Sequence, residues 1–471
     1  MFGIKLSFFQ TGHTADEQSR KREREEQRKF VQNEVKNERA SSVSPIFTKD
    51  QEMALATMQK GNNIFLTGGA GTGKSFILRK FIEINRGRNI LVTAPTGIAA
   101  KNIGGATLHK TFKLPLGLIS DKYIQDTRSI SIDRMKYREK MLSHTDILII
   151  DEISMCRADI FMLIADLIQK QSAKGHHIQL ILCGDFYQLP PVIKDKEKAV
   201  FNAICPANPY GWSFKTKQWS QLNIEVCELK EIVRQKDINF AASLNKVRIG
   251  DKQGLSYITS NCSQEYVENA ITLCGTNFLA NRINEDNLKK IDSQIKSYEI
   301  KVNGNVSDSE ICCEKYLDLK VGARVIILVN EANLLYQNGS FATVTELKEE
   351  SITVLLDDKN VIVELPFNTW EVYGYSVDEN SGKIKKQVVG TYSQIPVRLG
   401  WAVTIHKSQG ATYSKVNLDT FRLWSSGQLY VALSRCSSLE NLYYKEDVSN
   451  HLFMDLDVIK FYMSIASKNQ K

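Results

Sequence analysis

The segment GGAGTGKS at residues 68–75 decides the fold of this chain. It fits the pattern G-x-x-x-x-G-K-[ST] and follows an apolar run, NIFLT at 63–67, just before a helical stretch. In that context the glycines let backbone N–H groups curl around phosphates at the N-terminus of a helix. A chance glycine loop would not supply the strand, the lysine and the serine together, so the sequence predicts a nucleoside-triphosphate site in an α/β domain.

The side chains of this loop have distinct expected roles. Lys74 can reach the β- and γ-phosphates of a bound nucleotide, and the Ser75 hydroxyl can ligate Mg²⁺. ATP and Mg²⁺ are therefore the expected cofactors. The other residues of the loop expected to bind the nucleotide are Gly68, Gly71, Thr72 and Gly73.

Three further apolar runs extend the α/β pattern beyond this loop. NILVT at 89–93, DILII at 146–150 and IQLILC at 178–183 are short and are bounded by Gly, Pro or Asp. Runs of this kind are typical of buried strands in a parallel sheet with helices between them. The basic, less apolar stretch at about 113–140 is interpreted as an insertion between the second and third of these strands.

Polar residues follow the third and fourth runs. Asp151 ends an apolar strand and is placed to hold Mg²⁺, while Glu152 is placed to orient or deprotonate an attacking water. A helix N-cap followed by a first-turn acid is the alternative interpretation of this pair. In LCGDFYQLPPV at 182–192, Gln188 could hydrogen-bond a γ-phosphate or a nearby water, and Asp185 is interpreted as a turn or cap residue.

The second half of the chain changes character twice. A second α/β region begins near residue 210, with a predicted strand at 270–274, and the α/β pattern resumes near 395. Between them, residues 316–375 contain ARVIILV, FATVTEL, SITVLL and NVIVEL, separated by turn residues. Several short strands with regular turns indicate a small all-β module of barrel-like size.

Composition narrows the class of protein. The chain has 471 residues, 42% hydrophobic and 24% charged, which excludes a mostly disordered chain, and no apolar run approaches the ~18 residues that span a bilayer. The net charge of +8 is compatible with a polyanionic partner. Nine cysteines without a C-x-x-C motif, and no clear cleavage site near the N-terminus, indicate a reduced intracellular protein that is not secreted.

Together these elements resemble superfamily-one helicases. The segment APTGIAAKNIGGATLHKTF at 94–112 narrows the resemblance to the Pif-type branch, related to RecD- and Dda-like helicases. LKEIVRQKD (229–237), VRLGWAVTIHKSQGATYSKV (397–416) and GQLYVALSRCSSLENL (427–442) are similar to that branch as well. The resemblance runs from about residue 47 to 445 and implies an ATP-dependent DNA helicase that moves 5′ to 3′ on single strands.

The resemblance also implies an architecture. We expect an α/β fold with two RecA-like P-loop domains in tandem and ATP at their interface. The first would span 46–205 with a wedge insertion at about 113–140, whose tip candidates are Leu114, Pro115 and Leu116. The second would span 206–308 and 392–471, interrupted at 309–391 by an SH3-like β insertion that either clamps the strand or serves as a spacer. Residues 1–45 form a charged segment, interpreted as a solvated helix or flexible lead-in.

The resemblance assigns further residues to the nucleotide. Gln51 would contact the adenine edge, and Arg234 and Arg435 would reach the γ-phosphate from the second domain, where a surface salt bridge is the alternative for either arginine. Gly410 would allow close backbone approach, with a simple turn as the alternative. The expected catalytic residues are Lys74, Glu152, Gln188, Arg234 and Arg435.

Two segments are expected to contact DNA. TLHKTF at 107–112 combines small donors, a cation and an aromatic ring, which are the groups that line single-strand channels. HKSQGAT at 406–412 is the segment that contacts DNA and links it to the nucleotide in the family. Ordinary core-edge residues are the alternative for the first segment. The expected DNA-binding residues are Thr96, Thr107, His109, Lys110, Phe112, His406, Lys407, Ser408 and Gln409.

One departure from the family and three alternatives accompany this prediction. The stretch after DEISM lacks the family's arginines and carries His176 and His177, interpreted as surface histidines rather than metal ligands. The alternatives are a DNA-stimulated translocase that separates strands poorly, a P-loop enzyme that does not act on DNA, and a binding protein with an inactive ATPase. The expected partners are single-stranded DNA and forked or tailed duplex, with a monomer favoured and no membrane.

Overall fold

The computed structural model describes residues 47–115, 117–119, 128–235, 237–262, 267, 270–331, 335–444 and 448–468. The charged segment predicted at 1–45, the tip candidate Leu116 and part of the predicted wedge insertion lie outside these residues. Among the helices that are described, none combines the length and the apolar character needed to cross a membrane.

A six-stranded parallel sheet carries the phosphate loop. Its strand order is β3-β2-β4-β5-β1-β6, and β1, which precedes the loop, pairs with β5 on one side and β6 on the other. The four strands predicted from apolar runs are confirmed within one residue at each end, and all residues of β1, β4 and β5 are buried. The strands are β1 Ile64–Gly68, β2 Ile90–Ala94, β3 Ala106–Thr107, β4 Ile147–Ile150, β5 Gln179–Cys183 and β6 Glu225–Leu229.

Helices pack on both faces of this sheet, and their starts are set by local capping. Thr48 and Gln51 form a reciprocal capping box at the first helix, while Thr96 and Thr107 cap two short helices beside the cleft. The helices of this unit are α1 Lys49–Met58, α2 Lys74–Ile84, α3 Gly97–Asn102, α4 Leu108–Thr111, α5 Arg128–Leu142, α6 Ala158–Ala173, α7 Lys198–Ile204 and α8 Lys217–Gln221.

A second, four-stranded parallel sheet has the order β18-β7-β19-β20. It includes the strand predicted at 270–274, observed at Ile271–Cys274. Its strands are β7 Ile271–Cys274, β18 Ala402–Thr404, β19 Val416–Leu418 and β20 Leu442–Tyr444. The helices around it are α9 Ile238–Arg248, α10 Lys252–Asn261, α11 Asn277–Lys289 and α12 Gln428–Leu433.

A β region interrupts the second unit. It contains a five-stranded antiparallel sheet in the order β14-β13-β12-β11-β17, a three-stranded sheet β15-β16-β9 and a two-stranded sheet β10-β8. Its strands are β8 Lys296–Glu299, β9 Lys301–Gly304, β10 Tyr316–Leu319, β11 Arg324–Ile327, β12 Phe341–Leu347, β13 Ser351–Leu356, β14 Ile362–Pro366, β15 Asn368–Val377, β16 Ile384–Gln394 and β17 Val397–Leu399. The predicted bounds 309–391 are therefore too narrow, because β8, β9 and β17 pair with strands inside them.

The predicted boundary at 205 between the two α/β units is wrong. Strand β6 pairs with β1 over all five of its residues, so the first unit continues to Leu229. The last helix, α13 Leu456–Lys468, also packs on the first unit rather than the second, since the Phe461 ring lies 4.4 Å from Phe214 and 5.5 Å from Phe186. Trp212 Nε1 donates to Asp455 at 2.8 Å just before this helix.

The β15–β16 hairpin joins the β region to the first unit. Tyr375 is 6% exposed and packs in the core beneath the first sheet, where its hydroxyl donates to Val92 O at 3.1 Å. Tyr137 of α5 donates to Tyr375 O at 2.9 Å. The hairpin therefore packs against the first unit through Tyr375 and contacts α5 through Tyr137.

The predicted wedge tip is wrong for one of its three candidates. Leu114 is buried in the first core, and Pro115 is half-buried. Arg138 of α5 holds this segment, donating to Phe112 O at 2.6 Å and to Lys113 O at 3.1 Å. Leu114 thus anchors the start of the insertion instead of projecting from it.

The docking of α13 on the first unit predicts a specific loss of stability. Phe461→Ala should destabilise the protein by about 2 kcal/mol, because it removes an aromatic ring that packs on four rings of the first unit, those of Phe65, Phe186, Phe214 and Trp219. The measurement is the midpoint of thermal unfolding. Met463→Ala is the matched control on the same helix, since Met463 is 66% exposed. Equal midpoints for the two variants would contradict the packing of α13.

Candidate functional site

One cleft of about 1140 Å³ runs between the first sheet, the second unit and the β region. The phosphate loop forms one end, and aromatic residues of the β15–β16 hairpin form the other. The residues that the sequence assigned to nucleotide chemistry meet here. Those that line it are Gly71, Gly73, Lys74, Ser75, Asp151, Glu152, Gln188, Arg234, Gly410 and Arg435.

The phosphate loop is packed so tightly that its glycines are obligatory. Gly71 and Gly73 have φ of 83° and 88°, which side chains rarely adopt. A Cβ on Gly71 would lie 2.6 Å from Arg234 Cβ, and one on Gly73 would lie 2.5 Å from Gln51 Nε2. Lys74 opens α2 and donates to Gly68 O at 2.8 Å, so its ammonium lies inside the curl of the loop.

Two side chains predicted to bind nucleotide also brace the loop. Thr72 is buried and donates to Gly69 O at 2.9 Å. Gln51 is 4% exposed; its Nε2 donates to Thr72 O at 3.0 Å and its Oε1 accepts from Thr48 N at 3.1 Å. Both polar ends of Gln51 are thus used within the protein, and the contact with adenine stays a prediction.

The two carboxylates at the end of β4 differ in setting. Asp151 is 6% exposed, burial raises its pKa, and its Oδ1 accepts the Glu152 N–H at 2.9 Å. Glu152 adopts a left-handed φ of 52° and caps no helix with its side chain, so the N-cap interpretation fails for it. Burial and the neighbouring Asp151 raise the pKa of Glu152 to about 7, the range expected for a general base.

Two arginines line the cleft near the phosphate loop. Arg435, 2% exposed, donates to Val431 O at 3.0 Å and Ala411 O at 3.2 Å, and burial with the nearby Arg234 lowers its pKa to about 9. Arg234 donates to Ser434 O at 3.2 Å, and burial lowers its pKa. Arg435 belongs to the second unit, while Arg234 lies on the connection between units. Neither is a surface salt bridge.

Asp185 is more than the predicted turn or cap residue. It is fully buried and accepts two hydrogen bonds from Arg248 of α9, at 3.0 and 3.1 Å, across the boundary between the two units. Its neighbour Gln188 lies close, with Nε2 at 3.4 Å from Asp185 Oδ2. Asp185, which was predicted to contact only its own turn, therefore forms a buried ion pair between the two units.

Aromatic rings enclose this ion pair. Tyr187 and Tyr462 of α13 stack at 4.4 Å, and the Arg248 guanidinium lies 4.9 Å from the Tyr187 ring centroid. Tyr462 also lies 2.8 Å from Thr67 Oγ1 at the end of β1. Tyr430 of α12 accepts the Ala70 N–H of the phosphate loop at 2.7 Å.

Sequence reasoning missed this set of residues, although one signal was available. Phe240, Leu244 and Val247 mark the apolar stripe of α9, and Arg248 falls on the same stripe at i+8 from Phe240. An arginine on a buried stripe requires a partner. Nothing comparable in the sequence singles out Tyr462.

The structure overturns two of the predicted DNA contacts. Phe112 is fully buried in the first core and cannot stack on a base, which supports the alternative of a core residue. Ser408 is likewise buried, and its hydroxyl donates to Ile405 O at 2.8 Å. Gln409 lies in the nucleotide cleft, where its Nε2 donates to Glu152 Oε2 at 3.0 Å.

The other residues predicted to bind DNA differ in how exposed their side chains are. Thr96 and Thr107 use their hydroxyls as helix caps, and Lys110 donates to Asn305 O at 2.5 Å and to Glu310 at 3.2 Å. His109 and His406 are half-buried, and burial lowers the pKa of both. Lys407 is exposed at the cleft and lies 3.7 Å from Glu314.

The histidine pair interpreted as surface residues contacts backbone. His176 Nε2 lies 2.8 Å from Thr145 O, and His177 Nε2 lies 3.2 Å from Gly61 O. In the described part of the chain, no group of three or more His, Cys, Asp or Glu side chains is arranged to hold a metal.

Comparisons with known proteins point to one family. The model of the PIF1-like helicase family matches residues 46–255. The chain is 31% identical over 442 residues to the ATP-dependent DNA helicase Pif1 of Campylobacter jejuni, covering 85% of this chain and 94% of that protein. It is 32% identical over 444 residues to the ATP-dependent DNA helicase PIF1 of Danio rerio, covering 90% of this chain and 65% of the longer relative.

Solved structures are similar over the same extent. The Pif1 of a Bacteroides species in complex with ADP-AlF4 is 32% identical, with a TM-score of 0.78, and the match covers 90% of this chain and 98% of that one. The Bacteroides Pif1 bound to single-stranded DNA is also 32% identical over the same share of each chain, with a TM-score of 0.64.

The buried pair between Asp185 and Arg248 predicts a thermodynamic signature. Arg248→Met should destabilise the protein by about 3–5 kcal/mol, because it leaves the Asp185 carboxylate buried without its cation. Adding Asp185→Asn should recover a large part of that loss. The measurement is the urea midpoint of each variant in a double-mutant cycle.

Arg282→Met provides the control for this cycle. Arg282 forms an exposed pair with Asp286 at 3.7 Å, so its removal should leave the midpoint unchanged. Equal effects of Arg248→Met and Arg282→Met would refute the assignment of Asp185 and Arg248 to the interface between domains.

Proposed function

Because the chain belongs to the PIF1-like helicase family, we propose that it is an ATP-dependent DNA helicase that moves 5′ to 3′ along single-stranded DNA and unwinds duplex. One observation carries this proposal. The phosphate loop of the first unit and Arg435 of the second unit line the same cleft, which continues to the aromatic face of the β region. Nucleotide chemistry and a strand-binding surface are thus parts of one cavity.

The two parallel sheets are proposed to be two RecA-like motor domains. The nucleotide loop follows β1, which lies between β5 and β6, at the carboxyl ends of the strands, where ligands bind in open α/β sheets. The segment around α5 is proposed to be the wedge, and the β region is proposed to be the SH3-like insertion. Support for a clamp rather than a spacer comes from Tyr375, which ties the β15–β16 hairpin to the first unit.

ATP would bind with its phosphates in the curl of residues 68–75. Ser75 and Asp151 are proposed to hold Mg²⁺, which neutralises phosphate charge in such enzymes; the exposed Ser75 hydroxyl and the buried carboxylate line one cleft. Lys74 would contact the β- and γ-phosphates. Glu152 would accept the proton of the attacking water, and its raised pKa suits that task.

Hydrolysis would depend on the approach of the two units. Arg234 and Arg435 are proposed to stabilise negative charge on the γ-phosphate, a contribution of about 10³–10⁵ in rate for an arginine finger. Because Arg435 donates a hydrogen bond to the backbone carbonyl of Val431 in α12, its side chain moves with the second unit. Closing of the cleft would thereby join the chemical step to the movement of the strand.

The DNA strand is proposed to lie at the outer end of the cleft. Lys407 is exposed there, and Lys101 and Lys386 sit over the rings of Trp370 and Tyr373 at 5.0 and 3.7 Å. Cations and stacking surfaces together bind single strands without sequence preference. A similar Bacteroides Pif1 has been solved bound to single-stranded DNA, and another similar structure concerns DNA unwinding at forked duplex by two coordinating Pif1 helicases. Both support tailed or forked DNA as substrate.

A DNA-stimulated translocase that displaces proteins with little strand separation is the second candidate. The specific observation in its favour is the position of Leu114. One of the three candidates for the wedge tip is buried, which leaves the strand-splitting element without that apolar side chain.

Two substrates distinguish these functions. A duplex with only a 5′ single-stranded tail should be unwound with ATP and Mg²⁺, whereas one with only a 3′ tail should stay paired. Strand separation is measured by fluorescence beside the ATPase rate. Unwinding from the 3′ tail alone would refute the polarity, and stimulated ATPase without strand separation would favour the translocase.

Lys74→Ala tests the nucleotide site in the same assay. Loss of the ammonium that contacts the phosphates should reduce ATP hydrolysis by at least about 100-fold and abolish unwinding. Lys80→Ala on the same helix is the control, since Lys80 pairs with the exposed Glu83. A Lys74→Ala protein that still unwinds DNA with ATP would refute the site.

A further inference from the structure

The catalytic carboxylate and the DNA-facing loop touch each other in this structure. Gln409, three residues beyond His406, reaches across from the second unit and donates its Nε2 to Glu152 Oε2 at 3.0 Å. The HKSQG motif predicts a DNA contact for Gln409, yet its side chain is directed to the nucleotide end of the cleft. The contact therefore lies between the residue that would accept the proton and the segment that would hold the strand.

The orientation of the Gln409 amide follows from chemistry. An ionised carboxylate only accepts hydrogen bonds, so the NH₂ group faces Glu152 and the carbonyl oxygen is not bonded to it. That oxygen, Oε1, is buried and accepts no hydrogen bond from any residue that the structure describes. A buried acceptor without a donor is costly, by about 1–3 kcal/mol, unless a water or ligand supplies the missing hydrogen.

The backbone of the same loop is held by the second catalytic group. Arg435 donates to Ala411 O at 3.2 Å and lies 3.5 Å from Ser408 O, on either side of Gln409. Gly410 has a left-handed φ of 81°, which turns the chain sharply at this point. A shift of residues 406–411 would thus displace the amide on Glu152 and the carbonyls on Arg435 together.

We propose that Gln409 is a positioning residue for hydrolysis, which orients Glu152 and accepts the second hydrogen of the attacking water at Oε1. Two acceptors, Glu152 and Gln409, then fix both hydrogens of that water and direct its lone pair at the γ-phosphate. Because Gln409 is carried by the loop that is expected to contact DNA, a bound strand would hold the Gln409–Glu152 contact in place and prevent it from breaking. DNA stimulation of ATPase activity is thereby built into one side chain.

This inference rests on the proposed function and specifies its regulation. It differs from a DNA-contact role in what should change upon substitution. A residue that holds the strand affects the dissociation constant of single-stranded DNA. A residue that orients Glu152 affects kcat at saturating DNA and leaves DNA affinity and the KM for ATP nearly constant.

The test uses Gln409→Met, which keeps the length of the side chain and removes both polar atoms. At saturating oligothymidylate, kcat for ATP hydrolysis should fall by about 10-fold or more. The Kd for the oligonucleotide and the KM for ATP should stay within about twofold. Gln169→Met, which alters a surface contact with Gln221, is the matched control and should retain wild-type values.

Two other results would contradict a positioning role for Gln409. Weakened oligonucleotide binding with unchanged kcat at saturation would return Gln409 to the DNA contacts and refute the inference. Wild-type-like values of all three constants in Gln409→Met would refute it as well. Failure of the proposed function itself has a separate signature, because the unaltered protein would then show no stimulation of ATPase activity by DNA.

Discussion

The packing around the phosphate loop is the constraint on which the rest of the structure depends. A Cβ at Gly68 would lie 2.3 Å from Leu229 O, one at Gly71 would meet Arg234, and one at Gly73 would meet Gln51. The loop is thus confined by the first helix, the strand beside it and the connection to the second unit. Val233 N–H donates to Gly71 O at 2.9 Å, so the chain that leaves the first unit is bonded to the loop it must serve.

This confinement explains which parts of the molecule the sequence could predict. Strands around the loop are short, buried on both faces and bounded by breakers, so local pattern alone located them. Lys74 begins α2, Asp151 and Glu152 follow β4, and Arg435 follows α12; the structure brings all four to one cleft. The domain edges depended instead on pairings between distant segments: β6 with β1 and α13 with the aromatic core around Phe186. No local pattern reveals those pairings.

The predictions for several individual side chains were wrong for a related reason. Phe112 and Leu114 stand in a short irregular segment, where no period distinguishes an inward from an outward side chain. Gln409 and Ser408 are adjacent in a motif associated with DNA, yet one is directed into the nucleotide cleft and the other into the core. Asp185 looked like a turn residue because its partner, Arg248, is 63 positions away. Motif membership located these residues near the site but did not give the direction of each side chain.

The two α/β units meet through contacts of opposite character, and this contrast suggests how they move. The Asp185–Arg248 pair is desolvated, bidentate and enclosed by Tyr187 and Tyr462. Separating it would leave two unpaired charges in a low-dielectric environment. The Gln409–Glu152 contact is a single hydrogen bond between the two sides of the cleft, so breaking it separates no ion pair. A rotation about Asp185 would keep the first contact and break the second. It would also change the distance of Arg435 from the phosphate loop.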